Sequence, residues 1–116
     1  MPERGDVPAL KDILEAIGRV QRYVGTMSLS DFMENTEKQD AVVRNLEIIG
    51  EAVRSVSPEF RRKHNNVEWG QIAGLRDKLI HQYFGVNLKI VWDVVQEKLP
   101  GLKKQVADLL HHEGEQ

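Results

Sequence analysis

Cysteine is absent from the 116 residues. That excludes disulfides, thiolate zinc sites, iron–sulfur clusters and a cysteine nucleophile together. Long hydrophobic runs are missing too. Stretches such as Ala41-Val42-Val43 and Ile90-Val91-Trp92 are as long as they get, far below the roughly 18 residues of a bilayer-spanning helix. The opening Met1-Pro2-Glu3-Arg4-Gly5-Asp6 places no apolar core after its charges, so no secretory leader is expected. Neither sign of charge dominates, since 16 Lys and Arg oppose 18 Asp and Glu for a net charge of −2. A general nucleic-acid coat needs a large basic surplus, but this balance leaves room for a small local site for RNA or a nucleotide. There is no Gly-rich phosphate loop, no Gly-x-Ser-x-Gly and no His-Glu-x-x-His. The expectation is a cytoplasmic chain with no membrane segment, no metal and no cofactor.

What is present is periodicity. With 41% hydrophobic and 29% charged residues, the chain has one domain's worth of core and is expected to fold. Residues 1–8 read as a flexible arm, 9–112 as a single helical domain and 113–116 as a frayed tail. Leu10, Ile13, Ile17, Val20, Val24 and Met27 recur at steps of three and four, a helical seam that Leu14 broadens. Ser30 is the expected N-cap of a short turn holding Phe32 and Met33. A second long helix is predicted over residues 37–56, with its seam at Val42, Leu46, Ile49, Val53 and Val56. Ser57-Pro58 ends it, and residues 58–63 form one further turn.

A third helix carries Trp69, Ile72, Leu75, Leu79, Ile80 and Tyr83, weakened in its first half by Gly70 and Gly74. Gly85 is placed to cap its end and Asn87 to cap the next helix. Leu88, Trp92, Val95, Leu99, Leu102, Val106 and Leu109 continue the pattern, and Pro100 predicts two helices meeting at a kink. Both tryptophans are expected core anchors, Trp92 ahead of Trp69. No period-two alternation is long enough for a strand. The fold class is therefore all-α, an antiparallel up-and-down bundle of four to five helices.

One segment does not reduce to core formation: Leu75-Arg76-Asp77-Lys78-Leu79-Ile80-His81-Gln82-Tyr83-Phe84-Gly85. Continuing the seam from Ile72 lands on Arg76, where the other helices place aliphatics. A cation at that phase needs an anion or a partner chain, because an unpaired buried charge is costly. Arg76 and Tyr83 nearly eclipse, whereas Arg76 and His81 stand roughly 140° apart on an ideal helix. A local break, long side chains converging at an edge, or two copies meeting would each bring them to one atom. Asp77 and His81 are four apart, so Asp77 could orient the imidazole or raise its pKa. The set suits metal-free phosphodiester chemistry. Histidine can take the proton of a ribose 2′-OH, arginine can clamp the phosphate, and tyrosine can stack on a base. A structural polar cluster is the competing reading of the same residues.

Arg76, four residues, His81, one residue and Tyr83 form an Arg-x4-His-x-Tyr pattern that resembles the HEPN superfamily in its HepT-like branch. The flanks are similar to that branch as well: Asn45-Leu46-Glu47-Ile48-Ile49-Gly50-Glu51-Ala52, Trp69, Ile72-Ala73-Gly74-Leu75, Tyr83-Phe84-Gly85-Val86, Trp92 and Leu99-Pro100. The likeness runs from about residue 9 to residue 110. It implies a small helical toxin of a prokaryotic toxin–antitoxin pair of the type VII kind, acting as a metal-independent endoribonuclease. It further implies a homodimer in which two copies of the motif face one cleft. By carry-over Arg76 and His81 are the catalytic pair, with Asp77 and Tyr83 in support. Tyr83 also matches the tyrosine that a cognate minimal nucleotidyltransferase antitoxin modifies with AMP. Adenylates beside the cleft would block RNA by bulk and like charge.

Two rival readings stand beside this one. In the first, the chain is a non-catalytic nucleotide-binding or acceptor module of the nucleotidyltransferase, which the net charge of −2 fits slightly better. In the second, it is a helical assembly domain. Other signals read as ordinary surface: the His111-His112-Glu113 tail, and the i,i+4 pairs Glu47/Glu51 and Asp93/Glu97. Glu51 is a candidate partner for a core-phase arginine. Arg61-Arg62-Lys63-His64 is a solvated turn and the best candidate for a backbone-phosphate contact outside the cleft.

Overall fold

Two 19-residue helices, α1 (Asp6–Val24) and α3 (Thr36–Arg54), form the centre of the molecule. The computed structural model describes residues 5–81 and 87–114, apart from the side chains of Arg76, Leu79, Ile80, His81 and Glu113. The chain continues through α2 (Leu29–Met33), α4 (Pro58–Lys63), α5 (Trp69–His81) and α6 (Leu88–Asp93). A π-helical turn, Val94–Lys98, then leads into α7 (Leu99–Gly114). No strand occurs among the described residues, and the fold is the expected all-α bundle. α3 lies between α1 and α5, and α1 between α3 and α7.

The apolar seams make this arrangement. Leu10, Ile13, Ile17 and Val20 of α1 are fully buried, as are Val42, Leu46, Ile49 and Val53 of α3. Each helix presents one stripe, and the two stripes close on each other. Leu14 and Met27 pack against this core from its edge.

Helix α1 begins at Asp6 and not at Ala9, so the expected arm does not include residues 6–8. The cause is a long-range tether. Asp6 is buried, and its carboxylate accepts from the Ser57 backbone N–H (2.7 Å) and from the Ser57 hydroxyl (3.0 Å). Pro8 is tolerated because first-turn N–H groups have no helical acceptor anyway. Ser57 in turn accepts from the Phe60 N–H at 3.1 Å, capping α4. One serine therefore joins the start of α1 to the start of α4, and this places α1 and α3 antiparallel.

The turn before α3 is capped by Ser28 and not by Ser30. Ser28 and Asp31 exchange side-chain-to-backbone hydrogen bonds in a reciprocal box, which satisfies two orphan donors at once. Asn35 caps α3 through Lys38, and Gln39 donates to the carbonyls of Phe32 and Met33. Helix α3 stops at Arg54, two residues short of the sequence expectation, although Val56 is still buried beyond it. Asn87 caps α6 as predicted, accepting from Lys89 and Ile90. The Gly85 cap lies outside the described residues.

Helices α6 and α7 are the two helices expected to meet near Pro100, and a π-helical turn joins them ahead of that proline. Pro100 lacks an N–H for the carbonyl four residues back, and its ring crowds that carbonyl. The chain widens the preceding turn instead: the Leu99 N–H reaches back five residues to the Val94 carbonyl. Two consecutive steps of four, Val91 to Val95 to Leu99, are all buried as a result. An unbroken α-helix would rotate the third of these away from the core by roughly 80°. The tryptophans also exchange ranks. Trp69 is buried at 5% exposure, while Trp92 packs at the edge against Phe32, with ring centroids 5.4 Å apart.

Candidate functional site

Helix α5 carries both members of the expected pair, Arg76 and His81, on continuous α-helical backbone. Its start is fixed by Trp69, whose indole N–H donates to the His64 carbonyl at 2.9 Å and whose ring meets Phe60 edge-on at 6.4 Å. Ile72 and Ala73 then pack against the core. Arg76 follows them by one turn, so its Cα falls in the register the sequence assigned to it. His81 lies five positions beyond Arg76, about 7.5 Å along the axis. Because the helix is unbroken between them, a local break is not what brings the two together. The side chains of Arg76 and His81, and all of Tyr83, lie outside the described residues.

Asp77 is described, and it pairs across to another helix. Its Oδ2 accepts from Arg54 Nη2 at 2.7 Å, an ion pair that ties the last turn of α3 to α5. Both side chains are about half exposed, Arg54 at 43% and Asp77 at 51%. The neighbouring residues Val53 and Val56 are buried, so the backbone presenting Arg54 is held by the core. Sequence spacing gave no access to Arg54, since the pair joins residues on separate helices.

The other flank of α5 faces a groove of about 740 Å³ between α5 and the α6–α7 limb. Ile72, Leu75, Val94, Leu99 and Leu102 give it an apolar floor, and Lys78, Lys98, Gln71 and Gln105 stand on its rim. Gln105 also donates across to the Asn66 carbonyl at 3.2 Å. Glycines 74 and 101 border this groove, and a Cβ at either position would meet nothing within 4 Å. A smaller polar pocket between α1 and α3 gathers Asp12, Arg44, Glu47, Glu51 and Ser55.

The remaining candidates sit apart from α5's central turns. Arg62 and Lys63 are exposed in the last turn of α4, and the His64 ring lies tilted against Phe60 with centroids 4.4 Å apart. Asp93 accepts from Lys89 at 2.8 Å. His111 and His112 are exposed on α7, which runs on to Gly114. Among the described residues, no group of three or more His, Asp or Glu could hold a metal ion. No described helix is long and apolar enough to cross a membrane.

Residues 13–109 match the HepT-like family, described as ribonuclease HepT-like. The chain is 46% identical over 106 residues to "Putative RNase TTE0752" of Caldanaerobacter subterraneus subsp. tengcongensis, covering 91% of this chain and 95% of that protein. It is 40% identical over 110 residues to "Putative RNase MJ0127" of Methanocaldococcus jannaschii, covering 95% and 91%. It is 43% identical over 100 residues to "Probable ribonuclease HepT" of Thermococcus cleftensis, covering 86% and 91%. No solved structure matches the chain.

Proposed function

The chain belongs to the HepT-like family, and from that premise we propose that it is a metal-independent endoribonuclease, the toxin of a toxin–antitoxin pair. The observation that carries the reading is the family match over residues 13–109, which includes Arg76, His81 and Tyr83. In the proposed reaction His81 takes the proton from a ribose 2′-OH. The 2′-oxygen bonds to the adjacent phosphorus, the bond from phosphorus to the 5′-oxygen breaks, and that oxygen leaves as a hydroxyl with a proton from the imidazolium. The products are a 2′,3′-cyclic phosphate and a 5′-OH. Arg76 holds the phosphate and offsets the charge that grows on its oxygens. Neither step asks for a metal.

A homodimer completes the proposal. On an ideal unbroken helix the positions of Arg76 and His81 stand roughly 140° apart around the axis, and two copies facing one cleft would bring one chain's arginine to the other's histidine. Tyr83, two residues past His81, is the proposed acceptor of AMP from a minimal nucleotidyltransferase antitoxin. Bulk and negative charge there would exclude RNA.

The test is cleavage of total cellular RNA in excess EDTA, using protein whose mass shows Tyr83 unmodified. Cleavage by the parent chain and not by His81→Ala, with cyclic phosphate ends, is the expected result. Full activity in His81→Ala would sink the mechanism. The rival acceptor-module reading draws on the net charge of −2, low for a protein that engages RNA. It predicts no cleavage by the unmodified dimer, yet adenylate mass increments on co-expression with the antitoxin that vanish in Tyr83→Phe.

A further inference from the structure

We propose that the last turn of α4, carrying Arg61, Arg62 and Lys63, is a contact for the phosphate backbone of the RNA strand outside the catalytic centre. The inference rests on the ribonuclease reading above and adds a substrate-holding surface to it. Three observations carry it. First, Arg19, Arg44, Arg54 and Lys89 each pair with a carboxylate, whereas no described carboxylate pairs with Arg61, Arg62 or Lys63. Arg61 is half-buried, and its Nε is buried with no acceptor. Second, the backbone under these cations is held at both ends. Ser57 accepts from the Phe60 N–H and is itself tied to Asp6. The His64 N–H closes on the Phe60 carbonyl at 3.0 Å, and Trp69 donates to the His64 carbonyl. Third, the turn is continuous with the flank of α5. Asn66, three positions past Lys63, lines the groove beside α5, and Gln105 of α7 donates to its carbonyl at 3.2 Å. Glu68 and Glu97 balance Lys78 and Lys98 along the groove itself, so the unbalanced positive charge lies beyond Asn66, on α4.

The chemistry of this turn selects phosphate over base. A base is held by stacking on an exposed aromatic face. Here Phe60 and Trp69 turn into the core, at 4% and 5% exposure, and the His64 ring lies against Phe60. Three successive cations without counter-ions offer charge, and charge meets a nucleic-acid strand at its phosphates. Arg61 has the most to gain. In the free protein its Nε is desolvated without a bond, an arrangement that costs free energy. Turning the side chain outward to a phosphate gives Nε and one terminal nitrogen an oxygen each, the bidentate mode of a guanidinium. Rotamer changes of this kind are common on binding. The competing account of cations in a last turn is that they stabilise the helix end. It predicts a loss of stability on their removal and no loss of RNA affinity. The proposed role predicts the converse for Arg61, because Arg61→Met removes an unsatisfied donor and keeps the packing of the stem.

The experiment measures binding of a labelled single-stranded RNA of mixed sequence to the full chain, unmodified at Tyr83 and carrying His81→Ala so that the RNA stays intact. Kd is followed from about 50 to about 200 mM salt, where each phosphate contact on a single strand contributes about 0.7 to the slope of log K against log salt. In that background Arg61→Met is expected to weaken binding by about tenfold at low salt. It should also reduce the slope by at least about 0.7, and Arg61→Met/Arg62→Gln/Lys63→Gln should reduce it by about 2. Arg44→Gln makes the same change of charge on α3, at a side chain 72% exposed, and should leave the slope unchanged. The urea midpoint of Arg61→Met should be no lower than that of its parent. Should Arg61→Met fail to fold, Arg62→Gln/Lys63→Gln decides, since both residues are exposed and together carry about 1.4 of the slope. A parental slope in the triple variant overturns the proposal. So does an equal loss in Arg44→Gln, which makes the effect one of net charge. A lowered midpoint with parental binding assigns the cations to the helix end and overturns it as well. These outcomes leave the ribonuclease reading standing so long as the chain with His81 intact cleaves RNA. If that chain neither cleaves nor binds RNA, the ribonuclease reading falls and this inference falls with it.

Discussion

The buried tether between Asp6 and Ser57 makes the sharpest stability prediction. Replacing Asp6 by Ala removes two hydrogen bonds to a carboxylate, one from the Ser57 N–H at 2.7 Å and one from its hydroxyl at 3.0 Å. Asp6 and Ser57 are 1% and 7% exposed, so water does not readily replace the lost acceptor. Bonds to charged groups contribute about 1.5–3 kcal/mol each, and part of that is offset because the carboxylate no longer has to be desolvated. A net cost of about 3 kcal/mol for Asp6→Ala is the result. A chain of this size loses about 4 °C of Tm per kcal/mol, so the midpoint should fall by about 12 °C.

Asp6→Asn keeps one carbonyl acceptor and should lose about half as much. Ser57→Ala removes the α4 cap as well as the tether partner, and should cost about 2 kcal/mol. The decisive quantity is the coupling. Asp6→Ala and Ser57→Ala act on one network, so the double variant should be less destabilised than the sum by at least about 1 kcal/mol. Urea unfolding followed by far-UV circular dichroism, at one protein concentration throughout, measures all four corners of the cycle. Additive single effects, or an Asp6→Ala within about 0.5 kcal/mol of the parent, would refute the tether as the reason α1 starts where it does.

Leu46→Ala opens the seam between α1 and α3 at a site only 1% exposed, and should cost about 2–5 kcal/mol by urea unfolding. Two glycines should respond to alanine with opposite signs. Gly25 has φ 52° and ψ −122°, so Gly25→Ala strains the backbone and should destabilise by about 1–2 kcal/mol. Gly74 is helical with open space where a Cβ would stand, so Gly74→Ala should raise stability by about 0.5–1 kcal/mol. A Tm series of the two variants checks both signs together.

The parts of the fold that were legible in the sequence are those governed by local period. Leu10, Ile13, Ile17 and Val20, and likewise Val42, Leu46, Ile49 and Val53, announce their burial by spacing alone. Asn87 does the same for its cap. What period does not encode is pairing between distant residues. Asp6 looks like a charge in a loose arm until Ser57, 51 residues away, supplies its donors. Arg54 looks like a solvated helix end until α5 brings Asp77 to it. Ser28 and not Ser30 is the cap because Ser28 has the carboxylate three residues on, a reciprocal signal that outweighs proximity to Phe32. Pro100 announces a junction between two helices but not its form, a π turn that keeps Val91, Val95 and Leu99 all inward. For the site, the sequence supplied the residue types and the helix that bears them, and the structure added the unbroken backbone and the α3 bridge.

That unbroken backbone gives the proposed dimer a test that does not depend on measuring oligomeric state. Arg76 and His81 share one continuous helix yet diverge by roughly 140° around it. A composite site would therefore take its arginine from one copy and its histidine from the other. In a two-fold dimer of this kind, Arg76→Ala abolishes both sites, and so does His81→Ala. A mixed dimer of the two variants behaves differently. One of its sites lacks both residues, while the other draws an intact arginine from the His81→Ala chain and an intact histidine from the Arg76→Ala chain. Random mixing makes half the dimers mixed, each with one working site in two, so activity should return to about a quarter of the parental level. Exchange between copies is verified by mass on differently tagged chains, and RNA cleavage is then compared before and after mixing. If mixed dimers form and cleavage stays at the level of either variant alone, each copy supplies its own pair. The long arginine side chain would then have to reach around α5 to its own histidine, and the composite cleft would be wrong.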